Sequence, residues 1–190
     1  MHDLVIRNAT IVDGTGAPGR RGDVAVDAGR ITEVDSVSDT GRRELEADGL
    51  CLSPGFIDMH SHSDHYLLVN PTAEGKIAQG ITTEVCGNCG FSSAPLVHPD
   101  ERAETLGYLA KHGIEADWTS VAEYFDTLEN HGIGLNFMTL IGHGTLRAAV
   151  VGYDARAATP AEMEQMVALS AQCMEEGALG IASGLIYAPG

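Results

Sequence analysis

The sequence predicts an α/β fold of parallel βα units that follows a small all-β segment. Residues 1–52 contain short β-rich runs separated by turns, whereas strands alternate with helices from residue 53 onward. Polar residues also follow the ends of the predicted parallel strands, which is where α/β folds assemble their sites. We therefore expect an N-terminal β segment over residues 1–52 and a βα segment over residues 53–190.

The composition indicates a globular protein and excludes two classes of partner. The chain has 190 residues, of which 44% are hydrophobic and 20% are charged, enough for one domain of ordinary size. Its 27 acidic residues outnumber 11 Lys and Arg, and the formal charge is -16. Such a field repels phosphate backbones and anionic lipids, so neither nucleic acid nor a membrane surface is expected as a partner.

The sequence carries no targeting or membrane-spanning signal. The N-terminus lacks a basic region followed by an apolar segment, and no stretch approaches the roughly 18 apolar residues of a transmembrane helix. A cytoplasmic location is therefore expected. The cysteines are too few for a dense disulfide framework, which favours free thiols or metal ligands. They are Cys51, Cys86, Cys89 and Cys173.

The N-terminal segment has the pattern of short strands. Its β-rich runs lie at residues 4–6, 10–12, 24–26 and 31–34. The stretch Asp27–Arg30, which contains Ala-Gly between the last two runs, is typical of a β-hairpin turn.

Residues 53–64 form the first predicted strand of the βα segment and carry its most informative motif. Phe56 and Ile57 lead directly into His60 and His62. Histidines two residues apart on an extended strand point to the same side, so one metal ion could bind both. A lone histidine is more often a hydrogen-bonded surface or core residue, but two on one strand face favour metal ligands.

Three more strands and several helices complete the predicted fold. The strands are expected at residues 81–86, 135–141 and 178–183. The helices are expected to begin near Pro71, near residue 98, after Ser120 and after Thr159, the last two with capping boxes. Four parallel strands in about 140 residues compare with about 250 residues for a closed (β/α)₈ barrel. The chain is therefore either an open sheet or half of a barrel.

Candidate site residues collect at the ends of these strands. They are His60 and His62, Asn88 and Cys89, His143, Ser183 and Tyr187. A thiolate beside two neutral imidazoles is a good ligand set for Zn²⁺, which accepts sulfur and nitrogen donors together. Catalytic zinc lowers the pKa of a bound water and polarises a carbonyl oxygen, so this set points to hydrolysis of an amide or a related bond.

Other interpretations of these residues stay open. Cys86 and Cys89 form a C-x-x-C pair that could be redox-active or complete a structural zinc site with the histidines. Strand parity points the two thiols apart unless the strand breaks after Cys86. His143 lies between glycines and is equally well explained as a turn residue. Ser183 and Tyr187 are supported only by their position.

Five stretches of the chain resemble the N-terminal part of the N-acyl-D-amino-acid deacylase (D-aminoacylase) family of the amidohydrolase superfamily. They are Asn8–Gly16, Pro54–His62, Gly80–Thr83 with Gly87–Gly90, Gly142–Arg147 and Ser183–Tyr187. The resemblance implies a (β/α)₈ TIM-like metallo-dependent hydrolase barrel with a small β-sandwich formed from both chain ends. This chain would contain the N-terminal β-sandwich segment and about the first four βα units.

The resemblance also implies an activity. The family hydrolyses N-acyl-D-amino acids to a D-amino acid and a carboxylate, with one or two zinc ions as cofactor. His60 and His62 would bind one metal position, and Cys89 would be a ligand of the neighbouring, tighter position. The residues near the substrate would be His143, Ser183 and Tyr187. Two further histidine ligands and the general-base aspartate are expected beyond residue 190, so this chain alone is expected to be inactive.

Two features of the chain bear on this expectation. An incomplete barrel leaves unpaired strand edges, which predict self-association. Glu84 and Cys86 depart from the apolar residues that the family tends to carry on this strand, and Glu84 needs a partner among the outer helices. The alternative functions are a cyclic amidase that acts on hydantoin-like or dihydropyrimidine-like rings and a non-catalytic zinc-binding module.

Overall fold

The computed structural model describes all 190 residues. They form two compact units, Met1–Gly55 and Phe56–Gly190. None of the helices has the length and apolar character that a membrane crossing requires.

The N-terminal unit is built on one sheet of five strands. The strands are β1 (His2–Ile11), β2 (Arg20–Asp27), β3 (Arg30–Asp35), β4 (Gly41–Glu46) and β5 (Cys51–Leu52). β1 pairs antiparallel with β2 and parallel with β4 and β5, and β3 pairs antiparallel with β2. A sandwich needs a second sheet, so the β-sandwich stays a prediction.

Two of the short runs expected in this unit are one strand. β1 continues through Asn8, whose φ of 60° accompanies a register shift against β2 and marks a β-bulge. The expected hairpin between β2 and β3 is confirmed. Ala28 and Gly29 have φ of 48° and 73°, as the two central residues of a type I′ turn require.

The C-terminal unit contains two parallel sheets and six helices. Its strands are β6 (Phe56–Asp58), β7 (Ile81–Cys86), β8 (Asn136–Thr139), β9 (Ile141–Gly142) and β10 (Ile181–Ala182). Its helices are α1 (Tyr66–Val69), α2 (Glu74–Ile77), α3 (Pro99–Lys111), α4 (Val121–His131), α5 (His143–Val150) and α6 (Pro160–Glu175). β7 lies between β6 and β8, and β9 pairs with β10.

Most of the expected elements of this unit are confirmed. β7 has the predicted bounds, and α3 forms where a helix was expected. Ser120 and Thr159 form capping boxes with Glu123 and Glu162 at the starts of α4 and α6. The expected third strand is two strands, because β8 pairs with β7 while β9 pairs with β10 in a different sheet.

One expectation about an individual residue was wrong, and one open alternative is resolved. Pro71 does not begin a helix: it lies in a turn between α1 and α2, where its carbonyl accepts a hydrogen bond from the Gly134 amide at 2.6 Å. His143, for which a turn was one of two open interpretations, is the first residue of α5. Its neighbour Gly144 donates its amide to the Gly90 carbonyl at 2.9 Å, which ties the start of α5 to the loop after β7.

One apolar core joins the helices of this unit to its strands. Its fully buried members include Leu109 of α3, Trp118, and Val121 and Tyr124 of α4. The Trp118 indole donates to the Ser93 carbonyl at 2.7 Å, so its polar atom is satisfied inside the core. This packing holds the loop after β7 against the helices.

Candidate metal centre

His60, His62 and Cys89 come together above the ends of β6 and β7. One ligand atom from each lies within 4.8 Å of the other two. His60 Nε2 and Cys89 Sγ are 3.3 Å apart, and the two imidazole centroids are 5.4 Å apart. Two ligands of a tetrahedral zinc ion lie about 3.5 Å apart, so the nitrogen and sulfur donors fit such an ion.

The histidines do not lie on a strand, and this corrects the sequence-based expectation. β6 ends at Asp58, because its ladder with β7 ends at the pair of Asp58 and Glu84. His60 and His62 follow in a loop and are exposed. The residue between them, Ser61, is buried and donates its amide to the Val85 carbonyl at 3.1 Å. The loop therefore continues along β7 without forming a regular ladder.

The loop after β7 places the sulfur. Gly87 has a φ of 75°, and a Cβ at this position would overlap the Leu140 carbonyl oxygen, so only glycine fits. Cys89 itself has a φ of 55°, a left-handed conformation that is uncommon for a cysteine. The intervening Asn88 donates its side-chain amide to the Ser61 and Val85 carbonyls at 3.2 and 2.8 Å. This amide ties the cysteine loop to the histidine loop.

Cys86 is separated from this group. Its side chain is fully buried, and burial raises the pKa of its thiol to about 12. The sulfur accepts a hydrogen bond from the Asp64 amide at 3.4 Å. The break at Gly87 therefore does not bring the C-x-x-C cysteines together: Cys89 joins the histidines and Cys86 packs in the interior.

The other expected site residues surround the same loop. His143 begins α5, and its Nδ1 is buried without a hydrogen-bond partner. Tyr187 packs on Phe91, with ring centroids 5.9 Å apart. Ser183 precedes Gly184, where a Cβ would overlap the Cys89 carbonyl oxygen. His143 and Tyr187 also line a cavity of about 550 Å³, which Ser183 does not line.

A second cavity, of about 270 Å³, adjoins the metal-ligand group. His62 lines it together with Asp64, His65 and Ser93. Burial raises the pKa of the Asp64 carboxyl to about 6, and burial also lowers the pKa of His65. The His65 ring is held by the Ser93 hydroxyl at 2.9 Å. The cavity is therefore lined by two ionisable groups, Asp64 and His65, whose pKa values are shifted by burial.

Sequence reasoning indicated that Glu84 needs a partner but missed that this partner is Lys76. Glu84 is fully buried, and its carboxylate accepts hydrogen bonds from Ser61 and Ser63 and from the ammonium group of Lys76 in α2. Burial lowers the pKa of Lys76, but hydrogen bonds to Glu84 and Asp58 leave it above its ordinary value. The sequence does contain a signal for this partner, because Lys76 is the only Lys or Arg between residues 44 and 101.

Comparison with known proteins identifies the family. A family model described as the amidohydrolase family matches residues 43–188. The chain belongs to the amidohydrolase family. Its fold is accordingly that of the amidohydrolase superfamily, which is of the TIM-barrel type.

Characterised members of this family resemble the chain along nearly its whole length. D-aminoacylase of Alcaligenes xylosoxydans xylosoxydans is 40% identical over 188 residues, which are 98% of this chain and 38% of that enzyme. N-acyl-D-aspartate deacylase of the same organism is 41% identical, over 98% of this chain and 37% of the enzyme. The expected resemblance to N-acyl-D-amino-acid deacylases is confirmed, and the chain spans less than two-fifths of the length of these relatives.

A solved amidohydrolase structure matches the fold closely. N-acyl-D-glutamate deacylase from Bordetella bronchiseptica, complexed with zinc and a phosphonate inhibitor that mimics the tetrahedral intermediate, superposes with a TM-score of 0.87. The match has 38% sequence identity and covers 100% of this chain and 40% of that one.

Proposed function

We propose that this amidohydrolase chain supplies part of the zinc centre of an enzyme that hydrolyses N-acyl-D-amino acids to a D-amino acid and a carboxylate. The observation that carries the proposal is the convergence of two imidazoles and one thiol, from His60, His62 and Cys89, within 4.8 Å. Support also comes from relatives that act on N-acyl-D-amino acids and from the zinc in the structure of one of them.

The donor set suits the chemistry of the proposed reaction. When bound, zinc lowers the pKa of a coordinated water and polarises the scissile carbonyl. His60 and His62 would be neutral ligands, and Cys89 would be an anionic one. In this proposal His143, Ser183 and Tyr187 contact the substrate beside the metal.

The fold of the complete catalytic unit is also part of the proposal. The two parallel sheets of the C-terminal unit would be the first four βα units of a (β/α)₈ barrel. Further histidine ligands and the general-base aspartate would come from later strands, as the resemblance implies. The free edges of β6 and β8 are the surfaces through which self-association is predicted.

Zinc binding by two matched cysteine variants tests the proposal. We expect the 190-residue chain to bind one zinc equivalent through these three donors, measured by competition with a chromophoric chelator. Cys89→Ala should abolish it, whereas Cys86→Ala should retain it because that thiol is buried away from the histidines. Equal loss in both variants would instead indicate a structural site that uses both sulfurs.

Activity measurements separate the remaining alternatives. We expect the 190-residue chain to show no turnover of N-acetyl-D-amino acids, because the proposed general base lies outside it. A protein that carries this chain together with the later strands should hydrolyse N-acetyl-D-amino acids. Turnover of hydantoins alone by such a protein would contradict the proposal and favour a cyclic amidase.

A further inference from the structure

A fully buried carboxylate is hydrogen-bonded to the loop that carries the two candidate histidine ligands. Glu84 Oε2 accepts hydrogen bonds from the Ser61 and Ser63 hydroxyls, both at 3.0 Å, and from the Lys76 ammonium group. Ser61 and Ser63 are the two residues that flank His62 in the chain. A buried charge persists only when it is paired and hydrogen-bonded, so this carboxylate requires the contacts that it makes to the histidine loop and to Lys76.

Lys76 extends the same network to His60. Its ammonium group contacts Asp58 Oδ2 at 2.9 Å and the Ser61 hydroxyl at 2.6 Å. The second oxygen of Asp58 accepts the backbone amide of His60 at 3.2 Å. The Lys76–Glu84 pair is therefore connected to the chain immediately before His60, between the two histidines and immediately after His62.

This network replaces the ladder that the histidine loop lacks. The strand ends at Asp58, and beyond it the side chains of Glu84 and Lys76 hold the hydroxyl of Ser61, while Asn88 holds its carbonyl. Ser61 is 6% exposed although both of its histidine neighbours are exposed. The two exposed histidines are thus adjacent in the chain to a buried serine whose polar groups are hydrogen-bonded.

We infer that Glu84, paired with Lys76, positions the loop that carries His60 and His62 for metal binding. This inference rests on the proposed function, since it concerns the same donors. Groups that orient metal ligands by hydrogen bonds change metal affinity by about 10–100-fold when they are removed. Two carboxylates against one ammonium group also leave a net negative charge beneath the site, which favours a divalent cation.

Zinc affinity and the cobalt spectrum of designed variants test this role. In Glu84→Gln, and separately in Ser61→Ala, we expect zinc to bind about 10-fold more weakly. The thiolate-to-metal charge-transfer band of the Co²⁺-substituted chain should also change, because the nitrogen donors lose their orientation. Ser61→Thr should keep the wild-type zinc affinity and cobalt band, since threonine retains a hydroxyl that can donate a hydrogen bond to Glu84.

Control variants separate positioning from general stability. Leu109→Ala weakens the core of the same unit, far along the chain from the ligands, and should leave zinc affinity and the cobalt band unchanged. Ser53→Ala removes an exposed hydroxyl that bonds only to the Pro54 carbonyl and should also have no effect. The double variant Lys76→Met, Glu84→Gln removes both charges of the buried pair together, and its zinc affinity should match that of Glu84→Gln.

The outcomes distinguish this inference from the proposed function. If wild-type chain binds zinc through Cys89 while Glu84→Gln and Ser61→Ala keep wild-type affinity and spectrum, the positioning role is wrong and the metal centre stands. Equal weakening in Leu109→Ala would also overturn the role, since affinity would then follow stability. Absence of zinc binding in wild type would defeat both.

Discussion

Arg20 in the N-terminal unit and Lys76 in the C-terminal unit each bridge two carboxylates, yet their surroundings differ. Arg20 contacts Asp13 and Asp35, both at 2.6 Å, and its side chain is 41% exposed. Lys76 is 22% exposed, and one of its partners, Glu84, is 0% exposed. Water can replace the hydrogen bonds of Arg20 but cannot reach Glu84. Removing the cation should therefore cost much more folding free energy at Lys76 than at Arg20, although each has two ion pairs.

The same contrast extends to the backbone of the two units. In the N-terminal unit, the turn glycines Gly14, Gly16, Gly29 and Gly49 have no neighbouring atom within 4 Å of a Cβ position. The buried apolar residues of this unit form two small clusters. The C-terminal unit has one large core, and the loop that carries Cys89 is packed against other backbone. The unit with the candidate site is therefore the one in which single substitutions should have large effects.

Removing the central cation from each cluster should give the largest difference. Lys76→Met leaves the Glu84 carboxylate buried without its counter-charge, and we expect a loss of about 3 kcal/mol in the free energy of unfolding. Trp118 is the only tryptophan and is buried in the C-terminal unit, so urea unfolding followed by its fluorescence reports on this loss.

Two matched variants give the controls for this prediction. Arg20→Met should leave the unfolding of the N-terminal sheet unchanged, as followed by the amide signals of Val5 and Ala25 in NMR spectra. Lys111→Met makes the same substitution at the exposed end of α3 and should change little. A loss for Arg20→Met as large as that for Lys76→Met would remove the distinction between the two units.

Alanine in place of one glycine from each unit should give the next largest difference. Gly29 and Gly87 have nearly equal φ, 73° and 75°, so alanine at either position has the left-handed penalty of about 1–2 kcal/mol. Only at Gly87 does the added Cβ also overlap a carbonyl oxygen, that of Leu140, at a further cost of about 1–3 kcal/mol. Gly29 has open space around its Cβ position.

Urea unfolding of each unit measures this pair of variants. We expect Gly87→Ala to lower the Trp118 unfolding midpoint strongly and to weaken zinc binding through displacement of Cys89. Gly29→Ala should lower the urea midpoint reported by the Val5 and Ala25 amide signals only slightly. Similar losses at both positions would mean that the packing around the cysteine loop adds nothing to the backbone penalty.

The convergence of the metal-ligand group was predictable because it follows from topology. Adjacent parallel strands end at the same edge of a sheet, so residues after β6 and β7 were expected to meet, and the structure brings His60, His62 and Cys89 together. The conformation of the histidine loop was not predictable in the same way. Alternation along a strand assumes a ladder, and this ladder ends at Asp58 before the first histidine.

The network beneath the histidines depends on contacts that no local pattern encodes. Lys76 reaches Glu84 because Pro71 lies in a turn and a helix of only four residues follows at Glu74. The sequence indicated only that Glu84 needed a partner, without saying which one. Short helices of this kind have little periodicity from which a face could be read, so the position of Lys76 required the tertiary structure.

The smallest effect that we predict concerns acid and the N-terminal sheet. Hydrogen bonds from the His2 ring, the Asp3 amide and the Thr32 hydroxyl lower the pKa of the Asp27 carboxyl from 3.8 to about 2. A carboxyl whose pKa is lower in the folded state stabilises the fold above pH 3.8, and this contribution is lost as the pH falls from 3.8 toward 2. Because the Asp27 side chain is 37% exposed to solvent, which screens its interactions, the loss should be small.

Urea unfolding at stepped pH, followed by the Val5 and Ala25 amides, tests this expectation. We expect the urea midpoint of the N-terminal sheet to decrease as the pH is lowered from about 4 to about 2. This pH range lies between the ordinary and the folded-state pKa of Asp27. In Asp27→Asn the starting midpoint should be slightly lower and this part of the acid step should disappear, because the amide side chain does not titrate. An acid step of the same size in Asp27→Asn would assign the step to other carboxylates. The partly exposed Asp27 would then contribute nothing measurable to stability, and its contrast with the buried pair of Lys76 and Glu84 would be larger.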